Sequence, residues 1–572
     1  MEKIIKLRNL FKDLNIDGYI VPKNDEFFGE YIPDDKDNLK FISNFSGSFG
    51  FALILRKKNY LFVDGRYTLQ AKIQSGKFFN IKTIPKCLPC NILKNKKLKI
   101  GFDPKLHTEK SLSYFFQKTN CKFVSINYNL IDKIWKKKKN SKINKFFVLK
   151  KNYTGQALNE KINLLTKLLI KKKIDIQFIS ASENIAWLLN IRGKDSKFTP
   201  LPNSYLILDN KKKVILFCDL RKIDKKINKH LKNIKIIDIN FTQLFLSKIK
   251  NKKIQIDVNS CSILFEKIIK KNNEIIEAKD PVYLLKSVKN KIELKNIFKS
   301  HIYDGAALTK FLFWIKKNFK KIKITEIDAQ NKLLKFRKFN KNFKFLSFPT
   351  ISGTGPNGAI IHYKADKKSN RNLKRGDIYL VDSGGQYNFG TTDVTRTISL
   401  DNNNQRIKNI FTRVLKGHIA VASYKIKKNT SGGDIDLVAR KFLKQINLDY
   451  AHGTGHGVGY FLNVHEGPQA ISKGNQVRFK AGMIVSNEPG YYESGKFGMR
   501  IENLVTVKKS NNFFKFENLT MAPIDKSLIN KKLLNKNEIS WLNDYHSQVY
   551  KKLSRFMNKL ELNDLQNSCS NI

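Results

Sequence analysis

The chain has 572 residues, with 108 Lys and Arg against 48 Asp and Glu, a formal net charge of +60. It is 41% hydrophobic and 27% charged, close to ordinary globular usage, which excludes a disordered polycation. Sparse Gly and Pro and the lack of a sustained heptad exclude collagen-like and coiled-coil classes, and the length suggests roughly three to five domains.

From the N-terminus, Met1–Leu14 has helical spacing but no continuous apolar core, so it is not a secretory signal. Asp17–Val21, Ala52–Leu55 and Tyr60–Asp64 read as short buried strands. The lysine-rich stretch Lys136–Lys151 suggests a linker or exposed face and closes a first α/β domain, residues 1–150. A second α/β domain, 151–287, opens with helical spacing over Asn159–Lys173. The strand Ile174–Ile179 follows, then a hairpin of Tyr205–Asp209 and Val214–Asp219.

The third domain, 288–510, begins with two helical patterns, Lys291–Phe319 and Glu326–Phe336. From Ser347 lysines thin out, and Gly, Asp, Thr and His accumulate among β-like runs as far as Val507. The tail, 511–572, has a helical stretch around Glu538–Lys559 and then a polar end read as mobile.

The charge excess admits two readings. Lysines could bind nucleic acid or an acidic membrane surface. However, the excess is nearly all Lys, accompanied by many Asn, Ile and Phe, whose codons are all rich in A and T. An interface with bases would favour Arg for bidentate contacts. The composition therefore favours a background bias over a nucleic-acid partner, despite dense patches at Lys136–Lys139 and Lys171–Lys173. The six cysteines (87, 90, 121, 218, 261 and 569) are too sparse for a disulfide framework. Cys87 and Cys90 form a lone C-x-x-C without a second ligand pair, since only His107 and Cys121 follow. No stretch of about 18 apolar residues could span a membrane. The expectation is a soluble, reduced, cytoplasmic chain.

Two motifs are excluded by context. Gly353–Gly358 fits G-x-G-x-x-G, but Pro356 lies inside it and the β-like run Ala359–Tyr363 follows, where a dinucleotide site needs a helix. It reads as a tight loop leading to His362. His452 and His456 have the i, i+4 spacing of zinc protease helices, yet Gly453 and Gly455 would break a helix and no Glu follows the first His.

Five residues form the informative array. Asp382 ends the apolar run Ile378–Val381, and Asp393 opens Val394–Leu400 after a glycine turn, so a hairpin would set them side by side. His456 lies in the glycine-rich segment His452–Gly459, and Glu488 follows the strand Met483–Ser486. Glu502 is placed inside a strand Met499–Val507, where a carboxylate is costly unless paired or bound to a metal. Four carboxylates and one imidazole suit two divalent ions, Mn²⁺ above all, with Co²⁺, Zn²⁺ or Fe²⁺ as alternatives. Such a pair would activate a bridging water for hydrolysis without a covalent intermediate.

The same segments carry seven longer motifs: Gly358–Tyr363, Val381–Gly385, Gly390–Thr397, His452–Gly459, Asn463–Pro468, Asn487–Tyr492 and Gly498–Asn503. With Phe45–Phe49, Asp64–Gln70, Asn184–Gly193 and Trp541–His546, they resemble the aminopeptidase P (Xaa-Pro aminopeptidase) branch of the pita-bread metallopeptidases, in its long three-domain form. The resemblance implies an α+β chain: two creatinase-like α/β domains, a pita-bread catalytic domain and a short C-terminal domain. It implies that Asp382 holds one ion, His456 and Glu488 the other, and that Asp393 and Glu502 bridge them. His362 and His465 would flank the scissile peptide and stabilise its oxyanion, and His452 would line the proline pocket. Glu488 would accept the proton of the attacking water, and Arg500 would orient Glu502. Arg66 is a candidate for closing the site from the N-terminal domain.

The implied substrates are peptides with proline second, whose tertiary amide offers no N–H. A homodimer is also implied, and no membrane partner. The departure at Gly459–Leu462, where relatives often carry a small polar residue before Phe, removes no ligand. Prolidase is the nearest rival, but prolidases are usually shorter. A catalytically dead pita-bread binding protein would have lost ligands that are all present here. Within Gly376–Leu400 three Asp (377, 382, 393) face one Arg (396), so the local balance is acidic.

Overall fold

The computed structural model describes residues 1–136 and 143–572. Most of the lysine patch at 136–139 therefore lies outside the described residues, as does part of the linker expected at 136–151. The chain forms two compact units, Met1–Tyr283 and Leu284–Ile572.

The first unit contains two six-stranded mixed sheets with one topology. In the first, the spatial order is Asn80–Ile84, Asn59–Asp64, Phe51–Leu55, Gly18–Pro22, Lys99–Phe102, Lys122–Ser125. In the second it is Lys235–Asp238, Val214–Cys218, Ser204–Asp209, Ile176–Ile179, Lys253–Ile256, Glu274–Glu277. In both, the strand that comes first in the chain is fourth in space. It pairs antiparallel with the second strand and parallel with the fifth. An amphipathic helix precedes each. Glu2–Asp13 buries Ile4, Leu7 and Phe11, and Leu158–Lys171 buries Ile162, Leu165 and Leu169. Both sets follow the i, i+3, i+7 spacing of one helix face.

The Asn184–Gly193 motif has structural work in this unit. Lys161 Nζ donates to Trp187 O (2.8 Å) and Asn190 Oδ1 (2.7 Å), and lies 4.0 Å from the Trp187 ring centre. Asn184 Nδ2 donates to Asp280 Oδ2 at 2.7 Å, and buried Arg192 donates to Ala186 O. Arg66 folds back on Asp64 in a bidentate pair (3.1 and 2.7 Å). All six cysteines are free thiols.

The second unit opens with the 28-residue helix Lys291–Asn318, started by a capping box of Asn290 and Glu293, and the helix Glu326–Lys338. Ile351–Thr354, Ile378–Ser383 and Val394–Ser399 form an antiparallel sheet. A five-stranded sheet runs Glu466–Ile471, Gly455–Gly457, Ile484–Asn487, Asn503–Ser510, Phe513–Asn518. Helices Gln405–Ala422 and Gly432–Lys444 supply further core. Among the described residues, no helix is long and apolar enough to cross a membrane.

Three local expectations are corrected. Ala359–Tyr363 is not β: a 3-10 turn over Gly355–Ala359 runs into a loop. Pro356 favours that turn, and Gly358 is pressed against Gly498, whose added Cβ would stand 1.8 Å from Gly358 O. Glu502 is not inside a strand, because Phe497–Arg500 and Asn503–Ser510 are separate strands with Glu502 at the break. The break is held by buried Arg396, whose Nη1 donates to Glu502 O (2.7 Å) and whose Nη2 donates to Asn503 Oδ1 (2.8 Å). Finally, the tail is ordered. Helix Lys559–Cys569 buries Leu565 and Cys569 in a core shared with Met499 and Ile501.

Candidate metal centre

Asp382 and Asp393 are brought together by pairing of Ile378–Ser383 with Val394–Ser399, which sets Asp382 opposite Thr395. The turn between them carries a small nested hairpin, Gly385–Tyr387 with Gly390–Thr391. The two sheets join at the Glu502 break, where Glu502 N donates to Thr395 O at 3.2 Å. His456 enters from the short strand Gly455–Gly457, and Glu488 follows the neighbouring Ile484–Asn487. Gly455 is required there: a Cβ would stand 1.9 Å from Ser486 O.

Potential ligand atoms of Asp393, His456 and Glu502 all lie within 4.8 Å of one another. His456 Nε2 is 3.4 Å from both Asp393 Oδ2 and Glu488 Oε1, while Nδ1 lies 2.9 Å from Gly457 O. Nδ1–H donates to that carbonyl, which turns Nε2 toward the carboxylates as the nitrogen that would bind a metal once it loses its proton. Arg500 Nη2 donates to Asp382 Oδ2 at 2.6 Å. Asp382 Oδ1 is buried, and no donor among the described residues reaches it. An orphaned carboxylate oxygen beside three other carboxylates and an imidazole fits a divalent cation.

The electrostatics agree. Burial, with the Asp393 and Glu488 charges, raises the Asp382 carboxyl to about 7 against the pull of Arg500. Burial likewise raises Glu488 and lifts Glu502 well above the ordinary range, the latter helped by its carboxylate neighbours. Burial opposes a charged His456, but its bond to Asp393 and the nearby Glu488 outweigh it and raise it to about 9. The cluster therefore holds positive charge firmly and tolerates ionised carboxylates poorly without it.

The expected histidines take distinct places. The His465 ring stands edge-on to His456, with centres 4.3 Å apart. His452 Nε2 lies 2.9 Å from Tyr492 Oη, and Arg500 Nη1 donates to the same hydroxyl. His362 is half-buried in the loop pressed against Phe497–Arg500. Sequence reasoning missed Tyr492, which joins His452 to Arg500. It also missed Thr395, whose Oγ1 accepts from Arg500 Nε (3.0 Å) and donates to Glu502 Oε2 (2.8 Å). Both lie inside motifs already quoted. Thr395 comes two residues after Asp393, and Tyr492 four after Glu488.

A pita-bread domain preceded by two creatinase-type domains defines the creatinase–prolidase architecture of the metallopeptidases. The family models that match are Metallopeptidase family M24 (295–509), Creatinase/Prolidase N-terminal domain (3–134 and again 137–293) and the C-terminal region of peptidase M24 (512–572). The chain belongs to metallopeptidase family M24, in its Xaa-Pro aminopeptidase P branch. It is 40% identical to the probable Xaa-Pro aminopeptidase P of Laccaria bicolor, over 97% of this chain and 90% of that one. With Xaa-Pro aminopeptidase 1 of Dictyostelium discoideum it shares 38% identity, over 98% and 94%. The crystal structure of the X-prolyl aminopeptidase from Caenorhabditis elegans, a cytosolic enzyme with a di-nuclear active site, superposes with a TM-score of 0.95. It is 32% identical and covers 100% of this chain and 99% of its own. The prolidase from Pyrococcus furiosus shares the fold over 62% of this chain (TM-score 0.50, 24% identity, 98% of its own length).

Proposed function

We propose that the chain removes the N-terminal residue from peptides with proline in second place, using two divalent cations, Mn²⁺ by preference. The observation that carries this is the buried Asp393–His456–Glu502 cluster beside the orphaned Asp382 Oδ1. In this reading Asp382 would help to hold one ion and His456 with Glu488 the other, with Asp393 and Glu502 shared between the two. The cations would supply Lewis acidity and lower the pKa of bound water. The chain's own residues supply the rest. Glu488, raised by burial, accepts a proton more readily than an exposed glutamate. His465 and His362 donate to the developing oxyanion, and His452, oriented by Tyr492, lines the proline pocket. Arg500 offsets part of the carboxylate charge.

The family resemblance supports a homodimer, and the cytosolic Caenorhabditis elegans relative supports a cytosolic location. The domain division 1–150, 151–287, 288–510 and 511–572 belongs to the same reading. The test compares Mn²⁺-dependent cleavage of an Xaa-Pro-Xaa tripeptide by wild type and Asp393→Ala, with an Xaa-Pro dipeptide beside it. Asp393→Ala should bind less metal and lose at least about 1,000-fold in kcat. Equal activity in both would sink the metal assignment, and cleavage of the dipeptide alone would make the enzyme a prolidase.

A further inference from the structure

Glu466 immediately follows His465 and is buried with two lysines on one carboxylate. Lys286 Nζ lies 2.6 Å from Oε2 and Lys289 Nζ 2.8 Å from Oε1, all three side chains at most 1% exposed. The lysines come from the segment that opens this unit, 180 and 177 residues before Glu466. That segment is itself fastened, with Lys289 N donating to Gly482 O at 3.0 Å and Val288 bridging Met483. Burying two ammonium groups around one carboxylate is expensive, and apolar residues of similar volume often serve stability as well or better. An arrangement kept at that cost calls for a second role.

The backbone around Glu466 indicates the role. Glu466 pairs with Gly457, the neighbour of His456, at an irregularity where the register slips between His456 and Gly457. Two glycines admit it. A Cβ on Gly457 would stand 2.0 Å from Glu466 O, and one on Gly459 would stand 2.9 Å from Glu466 Oε2. The side chain is thus tied to the opening segment and the main chain to the His456 strand. His465, one residue away, has its ring edge-on to His456.

We infer that the Lys286–Glu466–Lys289 clamp is a positioning device for His465, setting where its ring stands against His456. The inference rests on the role given to His465 above. Small displacements of a reacting group cost rate rather than fold, with about 1 Å worth up to roughly 100-fold.

The test uses the full-length, Mn²⁺-loaded protein and an Xaa-Pro-Xaa tripeptide. Lys286→Met and Glu466→Gln are made alone and in a His465→Ala background. Each single variant should lower kcat about 10-fold or more, leave KM within about twofold and keep the wild-type metal content. In the His465→Ala background neither should lower kcat further, because the group they position is gone. Lys286→Met leaves a neutral Lys289–Glu466 pair and carries the test if Glu466→Gln does not fold. Unchanged kcat in Lys286→Met, or losses that multiply with His465→Ala, would overturn the clamp. An unimpaired His465→Ala would overturn the role of His465 itself. An impaired one beside a normal Lys286→Met would overturn the clamp alone.

Discussion

Arg500 and Asp382 form a buried ion pair that uses one carboxylate oxygen and leaves the other open: Nη2 lies 2.6 Å from Oδ2, and Oδ1 meets no donor among the described residues. The same guanidinium donates to Thr395 Oγ1 and Tyr492 Oη. It thereby orients Asp382, Glu502 and His452 together. Arg500→Ala should lower activity or metal affinity about 10–100-fold, the usual loss for a partner that orients ligands. Arg500→Lys should recover only part, because a single ammonium cannot keep all three bonds in that fork geometry. Steady-state kinetics with metal analysis on the same samples checks both. Wild-type behaviour of Arg500→Ala in each would remove the argument.

Cation uptake should release protons in a pH-dependent way. Asp382 (about 7) and His456 (about 9) are both raised above their ordinary values, so each binds its proton more tightly in the folded chain. Below about pH 7 both carry protons that a cation must displace, and the raised Glu488 and Glu502 carboxyls add to the release; as pH rises past about 7 the Asp382 share drops out, so the number released falls. The sign also fixes stability. Each raised group contributes stability present at low pH and lost as pH rises through its folded value, so the rise in Tm on adding Mn²⁺ should grow from pH 6 to pH 9. Titration calorimetry in two buffers of different ionisation enthalpy, with melting curves, measures both. Release that does not vary with pH would contradict the assigned groups.

Much of this centre is legible in the sequence, because a carboxylate beside an apolar run and a histidine among glycines are local signals. What escaped was set at a distance. Met499–Val507 reads as one strand; it breaks at Glu502 because Arg396, more than 100 residues away, holds the Glu502 carbonyl. The polar tail hid Leu565 and Cys569, two buried residues at helical spacing. The partners of Glu466 lie in the segment that opens the unit, and nothing in Asn463–Pro468 announces two buried lysines.

Gly498 should not tolerate even a methyl group. Its added Cβ would stand 1.8 Å from Gly358 O, a backbone atom with no freedom to swing aside. Gly498→Ala must therefore part the His362 loop from the strand that leads to Arg500. Overpacking of this kind costs about 1–3 kcal/mol. The larger effect should be on kcat, because His362 and Arg500 sit on the two surfaces forced apart. Thermal melting and tripeptide kinetics on Gly498→Ala separate the effects, and wild-type values in both would refute the contact.

Asp304 and Arg337 form a further buried pair near this centre. Arg337 Nε and Nη2 donate to the two Asp304 oxygens at 2.8 Å each, Tyr387 Oη donates to Oδ1, and Nη2 also reaches Ser383 Oγ at 3.0 Å. Ser383 is the residue after Asp382, so the pair braces the strand that carries Asp382. Asp304→Ala leaves a fully buried guanidinium without its counterion and should cost about 3–5 kcal/mol. Replacing both partners by apolar residues, Asp304→Leu with Arg337→Met, removes the stranded charge and should recover most of that loss. Activity should not recover with it, because Ser383 still lacks its anchor and Asp382 is free to shift. Denaturant unfolding of both variants reads the first effect and kcat under saturating Mn²⁺ the second. A double variant that regains stability and full kcat would show that the pair serves the fold alone.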